Sequence, residues 1–276
     1  MKRFVLAVRL AASLVSLGLA VACSSPTSPS GASAPVITAF HSIGSRPNQP
    51  SGFADVGETV TVSASISNDG RGILSYAWSG PGTFTGTGPT VLWTAPNLPL
   101  TTPSTQGLTL TVTERYDEGG VTHANTTSNT FRMRVHDSQK EILDMGEDFL
   151  TLFSRNEVPT DTVLHNFSTA CDGGRGRLDE ASDTSNARLK YHQDFSKFRI
   201  TRAPPVRFNF GGACLAFGSR LRPADACSLF TVHWEFTYLV PEDGHKAGDR
   251  GVTDGMDHVT AVLEGDNWKL CHSDFE

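Results

Sequence analysis

Residues 138–153, Ser-Gln-Lys-Glu-Ile-Leu-Asp-Met-Gly-Glu-Asp-Phe-Leu-Thr-Leu-Phe, mark the point at which the pattern of the chain changes. The apolar residues recur at the spacing of one helical face, namely at Ile142, Met145, Phe149, Leu152 and Phe153. Ser138 and Glu141 also match a capping box, in which the serine accepts a backbone hydrogen bond and the glutamate reaches back. We therefore predict an amphipathic helix that begins at Ser138 and opens a second domain.

Upstream of this helix, residues 35–137 alternate apolar and polar side chains with the period of a β-strand. The strands predicted from this alternation are 59–66, 74–78, 91–94, 108–112 and 131–135. Turn residues separate them, with Asn68-Asp69-Gly70 after the first strand and Asp117-Glu118-Gly119-Gly120 before the last. Several short strands without a helical segment predict an all-β antiparallel sandwich.

Two tryptophan-containing segments lie within these strands, Tyr76-Ala77-Trp78 and Leu92-Trp93-Thr94-Ala95-Pro96. They resemble the bacterial Ig-like and PKD-like modules of surface proteins. The resemblance implies an Ig-like β-sandwich that acts as a spacer or adhesion unit, with Trp78 in the core between the sheets. We expect Trp93 in the core as well, rather than on an exposed carbohydrate-binding platform.

Downstream of the helix, the period returns to two after a mixed segment. A second helix is predicted near Thr160, and a short third one is possible between Ser185 and Tyr191. The strands predicted beyond them are 198–201, 206–210, 214–217, 228–240, 257–264 and 268–272, the last two joined at Gly265-Asp266-Asn267. Helices followed by antiparallel strands predict an α+β domain over residues 138–276.

This order of elements, together with the closing segment Gly265–Phe275 and its Trp268, looks like the NTF2-like superfamily, whose fold is a cone-shaped α+β barrel. The resemblance implies a curved antiparallel sheet wrapped around a long helix, often with a pocket inside. Members of the superfamily include isomerases, dehydratases and noncatalytic binding domains, so the fold alone does not determine the function.

The beginning of the chain reads as a targeting segment. Lys2, Arg3 and Arg9 precede the apolar run 10–22, which as a helix would span only ~20 Å of a hydrocarbon core that is ~30 Å thick. The run is therefore a signal peptide rather than a membrane span.

Its end, Leu19-Ala20-Val21-Ala22-Cys23, resembles the bacterial lipobox. The resemblance implies that residues 1–23 are a lipoprotein signal peptide with lipidation of Cys23, and that Ser24 directs the protein to the outer membrane. An ordinary signal-peptidase cleavage that leaves Cys23 as a free thiol is the alternative. Residues 24–34, rich in Ser and Pro, are a flexible linker. We thus expect a lipid-anchored protein of the bacterial cell envelope, on its periplasmic or surface face.

The charge of the chain narrows the set of partners. The formal net charge is −6, and loss of the three basic residues in 1–23 takes it to −9. Such a surface repels phosphate backbones, so nucleic acid is excluded as a partner. The expected partners are the membrane, through the lipid anchor, and an envelope or extracellular protein, a glycan or a small ligand.

The remaining cysteines, Cys171, Cys214, Cys227 and Cys271, are even in number in an exported chain, which predicts two disulfides. Four cysteines allow three pairings. Cys214 and Cys227 flank turn residues between two strand-like runs, and facing positions of a hairpin come within disulfide reach. We therefore pair Cys214 with Cys227 and, by elimination, Cys171 with Cys271. No CxxC spacing supports zinc, and no metal or cofactor is predicted.

Strand 229–238 carries the candidate catalytic residues. Alternation places His233 and Glu235 on one face and a row of aromatic residues on the other. If the first face lines a pocket, the resemblance to NTF2-like enzymes implies that Glu235 and His233 are acid/base groups of an isomerase or dehydratase, with Tyr191 or Asp194 as helpers. If it faces solvent, the two residues form a charge pair without a catalytic role. We assign no catalytic residue and predict a noncatalytic binding protein, with the enzyme as the alternative.

Overall fold

The structure is a computed structural model that describes residues 33–46, 49–97, 101–171, 175–211 and 224–275. The predicted signal peptide 1–23, its Cys23, most of the linker 24–34, and the predicted strand at 214–217 with Cys214 lie outside the described residues. The described part of the chain folds as a mixed α+β protein whose strands form three four-stranded sheets.

The first two sheets are formed by the strands that precede the long helix. These strands are β1 (Val36–Ile43), β2 (Phe53–Asp55), β3 (Thr59–Ser67), β4 (Ile73–Ser79), β5 (Thr83–Thr85), β6 (Thr90–Thr94), β7 (Ser104–Glu118) and β8 (Val121–His136). One sheet has the order β1-β3-β6-β5 and the other β2-β8-β7-β4. All strand pairs are antiparallel except β2 with β8. The five strands predicted from the alternation are present, and the structure adds β1, β2 and β5.

The inner faces of these two sheets pack against each other. Val60 and Val62 of β3 share one buried cluster with Leu108 of β7 and Met133 of β8. Trp93 lies fully buried in this cluster, as expected, and its indole N–H donates to the carbonyl of Pro81 at 2.8 Å. Trp78, also expected in the core, is half-buried and packs against this cluster and a second, smaller one.

The third sheet follows three helices. The elements are α1 (Ser138–Phe153), α2 (Thr160–Val163), α3 (Arg175–Asp194), β9 (Phe195–Phe210), β10 (Ala226–Tyr238), β11 (Arg250–Glu264) and β12 (Asn267–Phe275). The sheet is curled, has the order β12-β11-β10-β9, and pairs each strand antiparallel to the next. Helices precede antiparallel strands, as the α+β prediction states.

Helix α1 packs closely on the inner face of this sheet. Its apolar stripe, including Ile142 and Phe149, shares the main core with Phe230 and Val259 of the strands. A Cβ added at Gly146 would lie 3.2 Å from atoms of both Phe230 and Val259. Glycine at this position therefore permits the close approach of helix and sheet.

The prediction that Ser138 caps the N-terminus of α1 is wrong. The N-cap is Asp137, whose carboxylate accepts a hydrogen bond from the backbone N–H of Lys140 at 3.0 Å. Aspartate caps a helix as well as serine does. Ser138 instead is the first helical residue and is buried, where its hydroxyl accepts a 2.8 Å hydrogen bond from the indole N–H of Trp268.

Several elements are longer than predicted, among them α3 and β9. Helix α3 spans 20 residues rather than the short segment 185–191, because its polar composition hides the helical period. Strand β9 joins the two predicted strands across Pro204-Pro205, where its register with β10 shifts. Proline cannot donate a ladder hydrogen bond, and β9 is at the edge of the described sheet, where such a break is tolerated.

A buried junction connects the first two sheets to the third. Phe53 of β2 stacks on His136 at 4.4 Å between ring centroids and contacts Trp268 edge-on at 6.4 Å. The carboxylate of Asp55 accepts the backbone N–H of Ser138 at 3.0 Å, and burial raises the pKa of this carboxyl. The start of α1 is thus fixed from both sides.

A disulfide joins Cys171 to Cys271 of β12, with 5.6 Å between the Cα atoms and a sequence separation of 100. This is the pair expected by elimination. Cys227 is also disulfide-bonded, and its predicted partner Cys214 lies outside the described residues, so that pairing stays a prediction.

Removal of the Cys171–Cys271 crosslink should destabilise the protein. A closed loop of this length restricts the unfolded chain, and loss of such a native disulfide costs about 2–5 kcal/mol. Cys171→Ala with Cys271→Ala should therefore lower the free energy of unfolding by that amount in urea titrations. A change below about 1 kcal/mol would contradict the structural role of the bond.

Candidate functional site

A cavity of about 700 Å³ lies between α1, α3 and the inner face of the curled sheet. Its size is that of a small-molecule site. One stripe of α3 lines it at helical spacing, formed by Glu180, Asp183, Thr184, Ala187 and Tyr191. Phe149, Leu150 and Phe153 of α1 close a second side.

The sheet supplies a wall of aromatic rings. The rings belong to β9 and β10, and they are Phe195, Phe198, Trp234, Phe236 and Tyr238. Phe195 contacts Phe236 at 4.7 Å and Tyr238 at 5.4 Å between centroids, and Phe198 contacts Trp234 at 6.2 Å. Such edge-to-face contacts stabilise the rings against one another, so the wall is a preformed apolar surface.

The cavity opens where the cover over β10 becomes incomplete. On its inner face, Phe230, Val232 and Trp234 are buried, whereas Phe236 and Tyr238 farther along are only half-buried. Helix α1 packs over the first part of the strand. Beyond it, the polar helix α3 faces the sheet across the cavity rather than filling the space with large apolar side chains.

Five carboxyl groups line the cavity, those of Glu180, Asp183, Glu242, Asp243 and Asp274. The described residues that line it include no lysine, arginine or histidine.

The arginine of α3 that lies closest to this stripe in sequence points elsewhere. The guanidinium of Arg188 donates to the backbone carbonyls of Asn156 at 3.2 Å and Val158 at 2.7 Å, and also to that of Arg155. It therefore holds the loop after α1 rather than neutralising the cavity.

A buried polar network lies beside the cavity on β11 and β12. Glu180 accepts the backbone N–H of Ser273 at 3.0 Å and lies 3.5 Å from Nδ1 of His272. Burial raises the pKa of Glu180.

Asp257 of β11 is the deepest member of this network. It pairs with Phe230 across the sheet, so its side chain shares the inner face. The hydroxyl of Ser273 donates to it at 2.9 Å. Complete burial, with Glu180 and Asp274 nearby, raises the pKa of Asp257 to about 8. At neutral pH this carboxyl is therefore mostly protonated and adds little charge to the core.

One cluster has the spacing of metal ligands, Cys171 with Cys271 and His272. Both sulfur atoms belong to the disulfide. They are therefore not available as the thiolates that a zinc site requires.

His233 and Glu235 lie on the outer face of β10, away from the cavity. His233 bonds the carboxylate of Asp254 at 2.6 Å, and Arg250 bonds that of Glu235 at 2.6 Å. The side chains are 36 % and 24 % exposed and are not among the lining residues. The pair thus belongs to a cross-strand charge network on the outer face of the sheet.

Of the two proposed helpers, Tyr191 lines the cavity and Asp194 does not. Tyr191 lines the cavity and contacts Phe153 and Phe195, each at 6.2 Å. Asp194 ends α3, where its backbone carbonyl accepts the N–H of Leu239 at 2.7 Å, and it does not line the cavity.

Sequence reasoning missed the carboxyl groups of α3 and the role of Asp257. These residues are far apart in the chain, and α3 shows no clear apolar period that would orient Glu180 or Asp183. The available signal was the row of aromatic residues on β10, which predicted a buried face without showing that it is incompletely covered.

Comparisons of the chain with profiles of protein families, with curated proteins and with solved structures gave no match. Among the described helices, none has both the length and the apolar composition that crossing a bilayer requires.

The raised pKa of Asp257 makes stability dependent on pH. The folded state holds a proton at pH values where the unfolded chain, with a pKa of 3.8, has lost it. This contribution is complete at low pH and is lost as pH rises toward about 8, by at most about 1.4 kcal/mol per pH unit.

Asp257→Asn should remove this slope, because the amide keeps an acceptor for Ser273 and cannot ionise. Urea titrations from pH 5 to pH 8 should show the variant gaining stability relative to the wild type as pH rises. Asp266→Asn, at the exposed β11–β12 turn, is the control and should run parallel to the wild type. Parallel curves for Asp257→Asn as well would show that Asp257 is not protonated in the folded state.

Proposed function

We propose that this protein is a lipid-anchored lipoprotein of the bacterial cell envelope whose C-terminal domain binds a ligand. The cavity of about 700 Å³, with its aromatic wall, is the observation that carries the proposal. A largely preformed apolar cavity with a few convergent polar groups is the usual form of a small-molecule site. Its size favours a small ligand over a protein partner in this domain.

We also propose a fold family for each of the two domains. Two facing four-stranded sheets with Trp93 between them support an Ig-like sandwich over residues 35–137. Helices followed by a curled antiparallel sheet with an internal cavity support an NTF2-like domain over residues 138–276. In this arrangement the first domain is a spacer or adhesion unit, and the second is the binding unit.

Binding is favoured over the isomerase or dehydratase alternative. That reaction would need Glu235 and His233 inside the cone, but both lie on the outer face in ion pairs. Asp257, which has the pKa of a general acid, has no exposed surface and so has no access to a substrate.

The cell-envelope location rests on the sequence of residues 1–34 and gains support from the disulfide. Bonds such as Cys171–Cys271 persist in oxidising compartments and are rare in the cytosol. An exported chain with a Ser/Pro-rich tether after Cys23 would hold its binding domain away from the membrane surface.

Filling the cavity with a larger side chain should weaken ligand binding. The neutral apolar fluorophore N-phenyl-1-naphthylamine should bind the full chain carrying Cys23→Ser, with enhanced fluorescence that saturates. Ala187 lies on the cavity stripe of α3, so Ala187→Phe places a ring in the binding space and should weaken binding at least tenfold.

The matched control is Asn186→Phe, which adds the same ring one residue away at an exposed position. It should leave binding unchanged. Absence of saturable binding to the parent chain, or equal loss in both variants, would contradict a ligand site in this cavity.

The lipid anchor has a separate test. Cys23→Ser should abolish incorporation of labelled palmitate in bacteria and release the protein from the membrane fraction, because no thiol remains to be acylated. Cys171→Ala with Cys271→Ala keeps Cys23 and should still be labelled. Membrane attachment that survives Cys23→Ser would contradict the lipobox.

A further inference from the structure

The composition of the cavity wall restricts the chemistry of its ligand. We infer that the cavity binds a small organic cation, an amine or quaternary ammonium group on an apolar body. The inference rests on the proposed function, since it assumes that the cavity binds a ligand, and adds the chemical class of that ligand.

Two acidic residues of the cavity have a histidine neighbour, Glu180 beside His272 and Asp274 opposite His258 of β11. Asp183 from α3 and Glu242 and Asp243 from the loop after β10 are exposed, and Asp274 is half-buried. These acidic residues come from three separate elements and border one cavity. Their field attracts a cation and repels an anion at the entrance.

Two arginines close to the cavity in sequence have other contacts. Arg188 donates to three backbone carbonyls, and Arg250 pairs with Glu235 on the outer face of the sheet. Neither arginine therefore neutralises the acidic residues of the cavity.

The aromatic wall is suited to the same ligand. Aromatic faces carry a negative quadrupole and attract ammonium groups within about 6 Å of the ring centre. The rings of Phe195, Phe236 and Tyr238 are held within 5.4 Å of one another between centroids. They would also cover the apolar body of the ligand, which separate surface carboxylates cannot do.

The volume of the cavity limits the size of the ligand. A cavity of about 700 Å³ is much larger than a bare metal ion needs and accommodates a ring with an ammonium group. Hydrated inorganic cations would gain little from the aromatic wall. The aromatic and acidic surfaces together thus favour an organic cation over a metal ion.

The test compares three probes of similar size on the full chain carrying Cys23→Ser by isothermal titration calorimetry. The probes are benzyltrimethylammonium as the cation, benzyl methyl ether as the neutral compound and phenylacetate as the anion. We expect the cation to bind at least tenfold more tightly than either of the others.

Charge removal then identifies the source of the preference. Asp183→Asn with Asp274→Asn should weaken binding of benzyltrimethylammonium three- to tenfold more than it weakens binding of the neutral N-phenyl-1-naphthylamine. Asp266→Asn removes one negative charge at the exposed β11–β12 turn and should change neither.

The outcomes distinguish failure of the cationic ligand from failure of the binding cavity. If the three probes bind equally, or if N-phenyl-1-naphthylamine binds and the cation does not, the cationic ligand is wrong while the binding cavity stands. A preference for the cation that survives Asp183→Asn with Asp274→Asn would also overturn the assignment, because the carboxyl groups would not be its cause. Failure of N-phenyl-1-naphthylamine to bind would instead remove the cavity as a binding site.

Discussion

Helix α1 covers only part of the inner face of β10. Its apolar stripe shares the main core with Phe230 and Trp234, which are buried, whereas Phe236 and Tyr238 farther along the strand are half-buried. Aromatic rings there pack on one another, and the polar helix α3 lines the opposite side of the space. The cavity lies where the cover by α1 ends.

The junction at the start of α1 determines which end of β10 is left open. Ser138 is held by Asp55 through its backbone N–H and by Trp268 through its hydroxyl, so the helix cannot shift along the sheet. Gly146 then allows close contact with Phe230. The first two sheets therefore contribute to the geometry of the cavity through β2, even though they do not line it. The Cys171–Cys271 disulfide ties the chain before α3 to β12, on the side where Glu180 meets Ser273.

The spacing of apolar residues along the sequence was sufficient to predict individual strands and helix α1. Strict alternation identified β3, β4 and the aromatic row of β10, and the spacing of Ile142 and Phe149 identified α1. Features that depend on long-range packing could not be predicted in this way. Ser138 looked like a cap because the sequence does not show that Trp268 would need its hydroxyl, and Asp137 serves as a cap equally well.

The candidate site was predicted least well. Alternation separated His233 and Glu235 from the aromatic row, but it could not decide which face would be enclosed. Glu180 and Asp274 are brought together by pairing of β12 with β11 and by the docking of α3, which has no apolar stripe strong enough to orient it. A titratable group such as Asp257 acquires its raised pKa only when both sheet faces are in place.

The most direct test of the binding cavity uses the tryptophan side chains, which lie in different parts of the molecule. With 5-fluorotryptophan in the chain carrying Cys23→Ser, ¹⁹F NMR should give one resonance for each of the four tryptophans, and loss of a signal in Trp234→Phe assigns the one that lines the cavity. Titration with N-phenyl-1-naphthylamine should shift the Trp234 resonance in a saturable way and leave that of Trp93, buried between the first two sheets, in place. An unchanged Trp234 resonance at saturating probe, or equal shifts at Trp93, would contradict ligand binding in this cavity.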